Sequence, residues 1–219
     1  MSEELRTEEE QVEAIKKWWE ENGKSTVVSI VVVLAGWLGW NGYQDSVRAT
    51  GEAASEVYEQ LVVKATLPAQ QQTDAEKAEM VALADQLASE FNGTLYSDFG
   101  QLFQAKFAID AGDYAKAKTS LEALVAKKGE APVHALAQVR LARVLIQLNE
   151  LDQALALVQQ APIAGFDAQF AEVRGDVLFA QGKTAEARTA YQQASEAARQ
   201  QGINTQLLER KINDLAEAN

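Results

Sequence analysis

Ser25–Gln44 reads STVVSIVVVLAGWLGWNGYQ, with no charged residue between Lys24 and Asp45. Twenty residues at about 1.5 Å rise reach about 30 Å, the thickness of a bilayer's hydrocarbon core. Val27, Val28, Ile30, Val31, Val32, Val33, Leu34 and Leu38 together favour insertion by roughly 2 to 5 kcal/mol. Ser25, Thr26, Ser29, Asn41 and the glycines erode that gain, so the segment reads as a modest transmembrane helix unspoiled by charge. Trp37, Trp40 and Tyr43 sit at its far end, where amphipathic rings favour the headgroup level. A cleaved signal peptide would be shorter and end at small residues, whereas this run ends in tryptophans and follows a polar arm of 24 residues. A buried core helix seldom needs twenty uncharged residues in a row. No second apolar run of this length exists, so one span is expected.

Outward from that span, the basic residues are asymmetric. Lys16, Lys17 and Lys24 lie close on the N-terminal side and only Arg48 comparably close on the other. Basic residues near a span stay in the cytoplasm, which places the N-terminus inside and residues 45–219 outside, in a bacterium the periplasm. On the inner side, Met1–Glu10 reads as a charged, irregular start. Gln11–Asn22 carries Val12, Ile15, Trp18 and Trp19 at helical spacing beside Lys16 and Lys17, and Asn22-Gly23 is expected to stop that helix. It reads equally as a short amphipathic helix lying on the membrane face or with its tryptophans as no more than a belt for the adjacent span. Within the span, Ala35, Gly39 and Gly42, with Gly36 adjacent, form a small-residue ridge of the kind that lets a second transmembrane helix approach. Ordinary glycine tolerance in membrane helices is the competing explanation.

The chain's 219 residues carry a net charge of −12. The first 24 hold four basic against eight acidic residues, which leaves −8 on the remainder. That excess argues against nucleic acid, whose affinity comes from neutralised phosphates, and against anionic lipid surfaces as partners of the outer part. Abundant alanine and only three prolines favour helix. With no cysteine and His134 alone, a Cys/His zinc site is impossible and a Ser-His-Asp triad has one candidate base. His134 follows Pro132 in the first turn of a helix, an exposed or packed structural position. No phosphate-cradling glycine loop is present, and the carboxylates of an acidic helical chain mostly form solvated faces. No catalytic residue, metal or cofactor is expected.

Beyond the span, Asp45–Leu67 continues as helix with a stripe of Ala49, Ala53, Val57, Leu61 and Ala65, and Pro68 ends it. Ala69–Gln72 is a polar loop. Thr73 with Glu76 makes a capping box for a helix to Phe91, whose inner side is Met80, Leu83, Ala84, Leu87 and Phe91. Asn92-Gly93 closes it. Asn92-Gly93-Thr94 is formally a glycosylation sequon, but reads better as that cap.

From Leu95 the chain repeats. The turns AGDYAKA (111–117), LNELDQA (148–154) and QGKTAEA (181–187) centre on Gly112, Asn149 and Gly182, separated by 37 and 33 residues. Seven residues before them stand Ala105, Ala142 and Gly175; five after, Ala117, Ala154 and Ala187. Small residues there let two antiparallel helices touch, and a period near 34 with this pattern is the tetratricopeptide signature. The helices expected are Leu95–Asp110, Tyr114–Lys127, Val133–Leu148, Asp152–Gln160, Asp167–Ala180 and Thr184–Gln200. Pro132 and Pro162 fall between repeats, and a capping helix in 204–219 turns Leu207, Leu208, Ile212 and Leu215 inward. The whole is an all-α chain: arm 1–24, span 25–44, capping helices 45–94, repeats with a C-terminal cap 95–219.

In such a stack the first helix of each pair lines the concave face. The register puts Phe99, Leu102, Lys106 and Ile109 there, then Leu136, Val139, Arg143 and Ile146, then Gln169, Glu172, Asp176 and Phe179. Phe99, Leu102, Lys106, Leu136, Arg143 and Phe179 are the candidate partner-binding residues. Apolar contact would carry the affinity, while Lys106 and Arg143, a basic pair on an acidic domain, would orient a carboxylate of the partner. The alternatives are that the apolar residues are plain core and that both cations pair with neighbours such as Glu172 or Asp176.

QVEAIKKWWEENGK (11–24) followed by one span, VRLARVLIQLNELDQAL (139–155), VRGDVLFAQGKTAEAR (173–188) and KINDL (211–215) together resemble the YfgM family. These are tetratricopeptide-containing ancillary subunits of the bacterial SecYEG translocon. The resemblance covers essentially the whole chain and implies a single-pass inner-membrane protein with a periplasmic domain. It implies SecYEG and the membrane-anchored chaperone PpiD as partners, the lipid bilayer as anchor and unfolded exported proteins as clients. It implies no catalytic residues. A general periplasmic chaperone acting alone, or a regulator acting through the cytoplasmic arm on the Rcs stress-response regulator, are the alternative readings.

Overall fold

All regular structure is helical among the residues that the computed structural model describes, namely 2–68, 72–127, 129–159 and 163–217, with side chains described from 10 to 215. Ala69–Gln71, Gln160 and Pro162, which the loop, the sixth-helix end and the repeat boundary included, lie outside the described residues. The chain forms two units, residues 1–52 and 53–219.

The first unit is a single helix, part of α1 (Ser2–Ala65). Two expectations are corrected here. Residues 2–10 are helical rather than irregular: Glu, Leu and Arg are good helix formers, and acidic residues suit a helix N-terminus. Asn22-Gly23 does not stop the helix. Asn22 Nδ2 donates to the Trp18 carbonyl at 3.1 Å, and the Trp19 indole lies over Gly23, where a Cβ would stand 3.2 Å from its ring. Gly23 here is a seat for a ring, not a C-cap. The polar residues of the apolar stretch turn their hydroxyls back on the helix, Thr26 to the Asn22 carbonyl at 3.0 Å and Ser29 to that of Ser25 at 2.9 Å. That removes much of the cost of placing them in hydrocarbon. Trp18 and Trp19 stand near one end, Trp40 and Tyr43 near the other. Among the described residues α1 is the one helix long and apolar enough to cross a membrane, and the large apolar side chains of its stretch from Val27 to Tyr43 are exposed.

In the second unit the end of α1 packs with α2 (Asp74–Glu90) and α3 (Leu95–Asp110). Ala54, Leu61, Met80, Ala84 and Leu87 are buried there, and Tyr58 meets Tyr96, Phe99 and Phe103. Ala49 and Ala53, assigned to the packing stripe, are exposed. The rest of that stripe holds, with Leu61 buried and Val57 and Ala65 packed against the cluster, and Ala54 takes the place of Ala53 at its start. Thr73 and Glu76 make the capping box, and Gly93 takes φ 91° after α2.

Three helix pairs follow: α3 with α4 (Tyr114–Lys127), α5 (Ala131–Gln147) with α6 (Leu151–Val158), and α7 (Asp167–Ala180) with α8 (Thr184–Gln200). Their turns share one geometry. Gly112, Asn149 and Gly182 have φ of 74°, 58° and 75°. The next residue, Asp113, Glu150 or Lys183, donates its N–H back to Ala108, Leu145 or Leu178 at 2.8, 2.8 and 2.9 Å, the six-residue closure of a Schellman cap. Ala105, Ala117, Ala142, Ala154 and Ala187 are fully buried. A Cβ on Gly175 would collide with the Tyr191 ring. α9 (Gln206–Glu217) closes the stack through Leu208 and Leu215, while Leu207, assigned to the same face, is 60% exposed.

Candidate binding cleft

The six groove candidates occupy three kinds of position. Leu102 is core, 5% exposed, and supports the face from below rather than presenting itself. Phe99 and Leu136 are half-buried, Phe99 against Tyr58 and Tyr96, Leu136 against the central core. Phe179, in the last turn of α7, is 55% exposed. Lys106 and Arg143 are exposed, and the structure brings them to one cleft between α3 and α5. It measures about 470 Å³ and its walls are Lys106, Ile109, Tyr114, Arg140, Arg143, Val144 and Gln147.

Neither Lys106 nor Arg143 is free, which corrects the expectation of a lone basic pair. Lys106 Nζ lies 2.5 Å from Asp110 Oδ2, one helical turn on, and Arg143 reaches Glu172 Oε2 at 3.5 Å. Unlike charges at i and i+4 on a helix meet without rearrangement, and Glu172 stands on the next repeat. Both cation side chains are about half exposed, so each pair contributes about 0 to 1 kcal/mol.

Arg140 was not singled out in the sequence, because its register position points sideways from α5 toward α3 rather than along the face. Its guanidinium is half-buried, and Nη1 donates to the Leu102 carbonyl at 3.3 Å. Among the described residues it forms no ion pair. Burial, and after it the neighbouring Arg143 charge, pulls its pKa below the usual guanidinium range.

At the α7 end of the face the carboxylates are already matched. Lys211 of α9 reaches Glu172 Oε1 at 2.8 Å and Asp176 Oδ1 at 2.7 Å, and its ammonium lies 5.2 Å from the centre of the Tyr191 ring. Tyr191 donates its hydroxyl to Asp176 at 2.8 Å. Burial works against the Lys211 charge, but the hydrogen bonds to Asp176 and Glu172 outweigh it and hold its pKa above the ordinary value. Burial and the Asp176 charge push the Tyr191 phenol well up. In the third repeat's share of the face α9 thus occupies Glu172 and Asp176, while Phe179 stays exposed and the α3–α5 cleft is open. No group of acidic and histidine side chains suited to a metal ion occurs among the described residues. In α1, Ala35, Gly39 and Gly42 are exposed, with open space where Cβ atoms of the two glycines would stand.

The profile of the tetratricopeptide repeat-like domain family matches residues 16–217. Proteins named ancillary SecYEG translocon subunit are similar over nearly the whole length. The one from Haemophilus influenzae is 28% identical over 95% of this chain and 97% of its own. Those from Aggregatibacter actinomycetemcomitans and Escherichia coli K12 are each 29% identical with the same coverage.

Proposed function

Because the chain belongs to the tetratricopeptide repeat-like domain family, we propose that it is a non-catalytic, membrane-anchored binding subunit of the SecYEG translocon. The observation that carries this reading is coverage. Relatives of that name align over 95% of the chain and 97% of their own length, a span that takes in both the apolar helix and the repeats of this chain. A translocon subunit of this plan is an inner-membrane protein, and the candidate span in α1 fits one. The repeats bind polypeptide in the manner of helical solenoids, through an inner face that is rigid before the ligand arrives.

Finer assignments follow from the same reading. The repeat unit faces the periplasm, as the lysine asymmetry around the span supports. It works beside a PpiD-like membrane-anchored chaperone and assists unfolded exported proteins. Phe99, Leu136 and Phe179 supply apolar contact on the inner face, Lys106 and Arg143 its polar edge, and Ala35, Gly39 and Gly42 the contact inside the bilayer. The deciding experiment is co-purification of tagged full-length protein from membranes in mild detergent. SecYEG and the chaperone are expected in the eluate, and their consistent absence overturns the subunit reading. Alkaline phosphatase fused to the C-terminus is expected to be active; an inactive fusion with a protease-sensitive N-terminal arm on spheroplasts inverts the topology.

A further inference from the structure

We propose that Arg140 anchors a carboxylate of an extended, acidic peptide segment in the α3–α5 cleft, an inference that rests on the binding-subunit reading and narrows it to a class of ligand. Three observations carry it. Arg140 is half-buried, yet the one side-chain hydrogen bond it makes among the described residues is the long contact to the Leu102 carbonyl. A guanidinium has five donors in a planar fork, and taking it out of water is unfavourable unless an anion replaces the lost hydration. The other cleft cations already have carboxylates, Lys106 its Asp110 and Arg143 its Glu172, so among the described residues Arg140 is the cleft cation without an anion.

The local charge also selects the ligand. Three cations and two carboxylates leave the cleft with an excess of one positive charge. That matches a monoanionic carboxylate better than a phosphate dianion, which Asp110 and Glu172 would repel. Ile109 and Val144 give the cleft apolar walls, and the Tyr114 phenol and Gln147 amide add polar groups at its edges. Acid and aliphatic side chains in alternation on an extended strand satisfy both. A domain of net charge −8 repels such a segment at long range, so recognition here is short-range and local.

The test uses the full chain in a neutral detergent, panned against a library of random dodecapeptides. Bound peptides are expected to be enriched in Asp and Glu, and Arg140→Gln to abolish the enrichment with helical content unchanged. The best acidic peptide, labelled for anisotropy, is expected to bind Arg140→Gln about tenfold or more weakly, as is its Asp→Asn analogue to the unaltered protein. Combining the two changes should cost no more than one alone. Arg140→Lys, which keeps charge but loses the fork, falls between. Arg174→Gln, on α7, leaves binding unchanged.

Absence of acidic enrichment, or equal affinity for Arg140→Gln, overturns the proposal. Displacement of the peptide by equimolar inorganic phosphate also overturns it, by assigning the cleft to phosphate. If Arg140→Gln loses helix, full affinity in both Arg140→Lys and Lys106→Gln is the overturning result. The same preparations are scored for SecYEG co-purification. Co-purification without acidic enrichment sinks this inference alone, whereas enrichment without co-purification sinks the translocon reading and leaves the cleft.

Discussion

Gly175 in α7 and Gly39 in α1 are both glycines inside helices, in opposite surroundings. A Cβ on Gly175 would collide with the edge of the Tyr191 ring, while a Cβ on Gly39 would meet nothing within 4 Å. The same contrast runs through their units. In residues 53–219 the small residues at the helix crossings, Ala105, Ala117, Ala142, Ala154 and Ala187, are fully buried. In the apolar stretch of α1 the small residues and the large aliphatics beside them are exposed. Small residues allow close approach in both places. In the repeats that capacity is used within the chain; in the span it is left for whatever lies alongside, lipid or a second helix.

The largest expected effect tests whether burial separates the two units. Leu121 is fully buried in the central core, and Leu121→Ala should cost about 2–5 kcal/mol, through lost transfer energy and an unfilled cavity. Leu38→Ala, in the span, should leave the repeat unit's urea midpoint in detergent where it was. Equal losses from the two changes would break the comparison, because they would mean that Leu38 also packs inside the protein.

Next comes Gly175→Ala. Alanine is the better helix former by about 1 kcal/mol, yet the Tyr191 ring stands where its methyl must go. That ring cannot swing aside freely, since its hydroxyl is held by Asp176 and the Lys211 ammonium lies over its face. A net loss of about 1–3 kcal/mol by urea unfolding is expected. A gain would mean that α7 and α8 part readily and that the close contact is not a determinant.

These sites show what was legible in the sequence. The turns were, because a left-handed backbone position is a local demand: Gly112, Asn149 and Gly182 announce it by residue type alone. Four of the six repeat helices fall on their expected bounds for the same reason. The continuity of α1 was not legible, since Asn22-Gly23 reads as a stop until the Trp19 ring is seen lying on Gly23. The Arg143–Glu172 pair was legible as an alternative, because the repeat register sets the two side by side, and Lys106 meets Asp110 one helical turn on. The Lys211 contact was not, since α9 reaches a carboxylate 39 residues away and no local pattern encodes such a pairing. Arg140 was missed because a register assigned to the concave face overlooks residues facing the neighbouring repeat.

A pH test sharpens the comparison at the α7–α9 contact. Lys211, raised above 10.5 in the folded state, contributes stability that is complete below pH 10.5 and lost as pH climbs through the higher folded value. Tyr191 acts in the same direction. Its folded phenol stays protonated above pH 10.0, where the unfolded phenol ionises, and this also favours unfolding as pH rises. Lys211→Met should cost about 1–2 kcal/mol near neutrality and flatten the alkaline fall in stability. A wild-type midpoint as steady above pH 10 as below it would show that α9 is not held by these charges.

The smallest effect belongs to Gly39. Gly39→Ala places a methyl in open space on the helix surface. Urea does not unfold a helix embedded in a micelle, so the transition reports residues 53–219, and no change in midpoint is expected. The informative partner of that null result is Gly39→Leu, scored by co-purification with SecYEG. A branched side chain in the middle of the Ala35, Gly39 and Gly42 ridge would hold an adjacent helix away, because dispersion falls steeply with a gap of even 1 Å. Loss of the translocon with an unaltered urea midpoint would show the ridge to be an intermolecular counterpart of the Gly175–Tyr191 contact. Retention would make Gly39 an ordinary membrane-helix glycine and move the attachment to the repeats. There the small residues are already buried, so a partner would have to bind through the inner face.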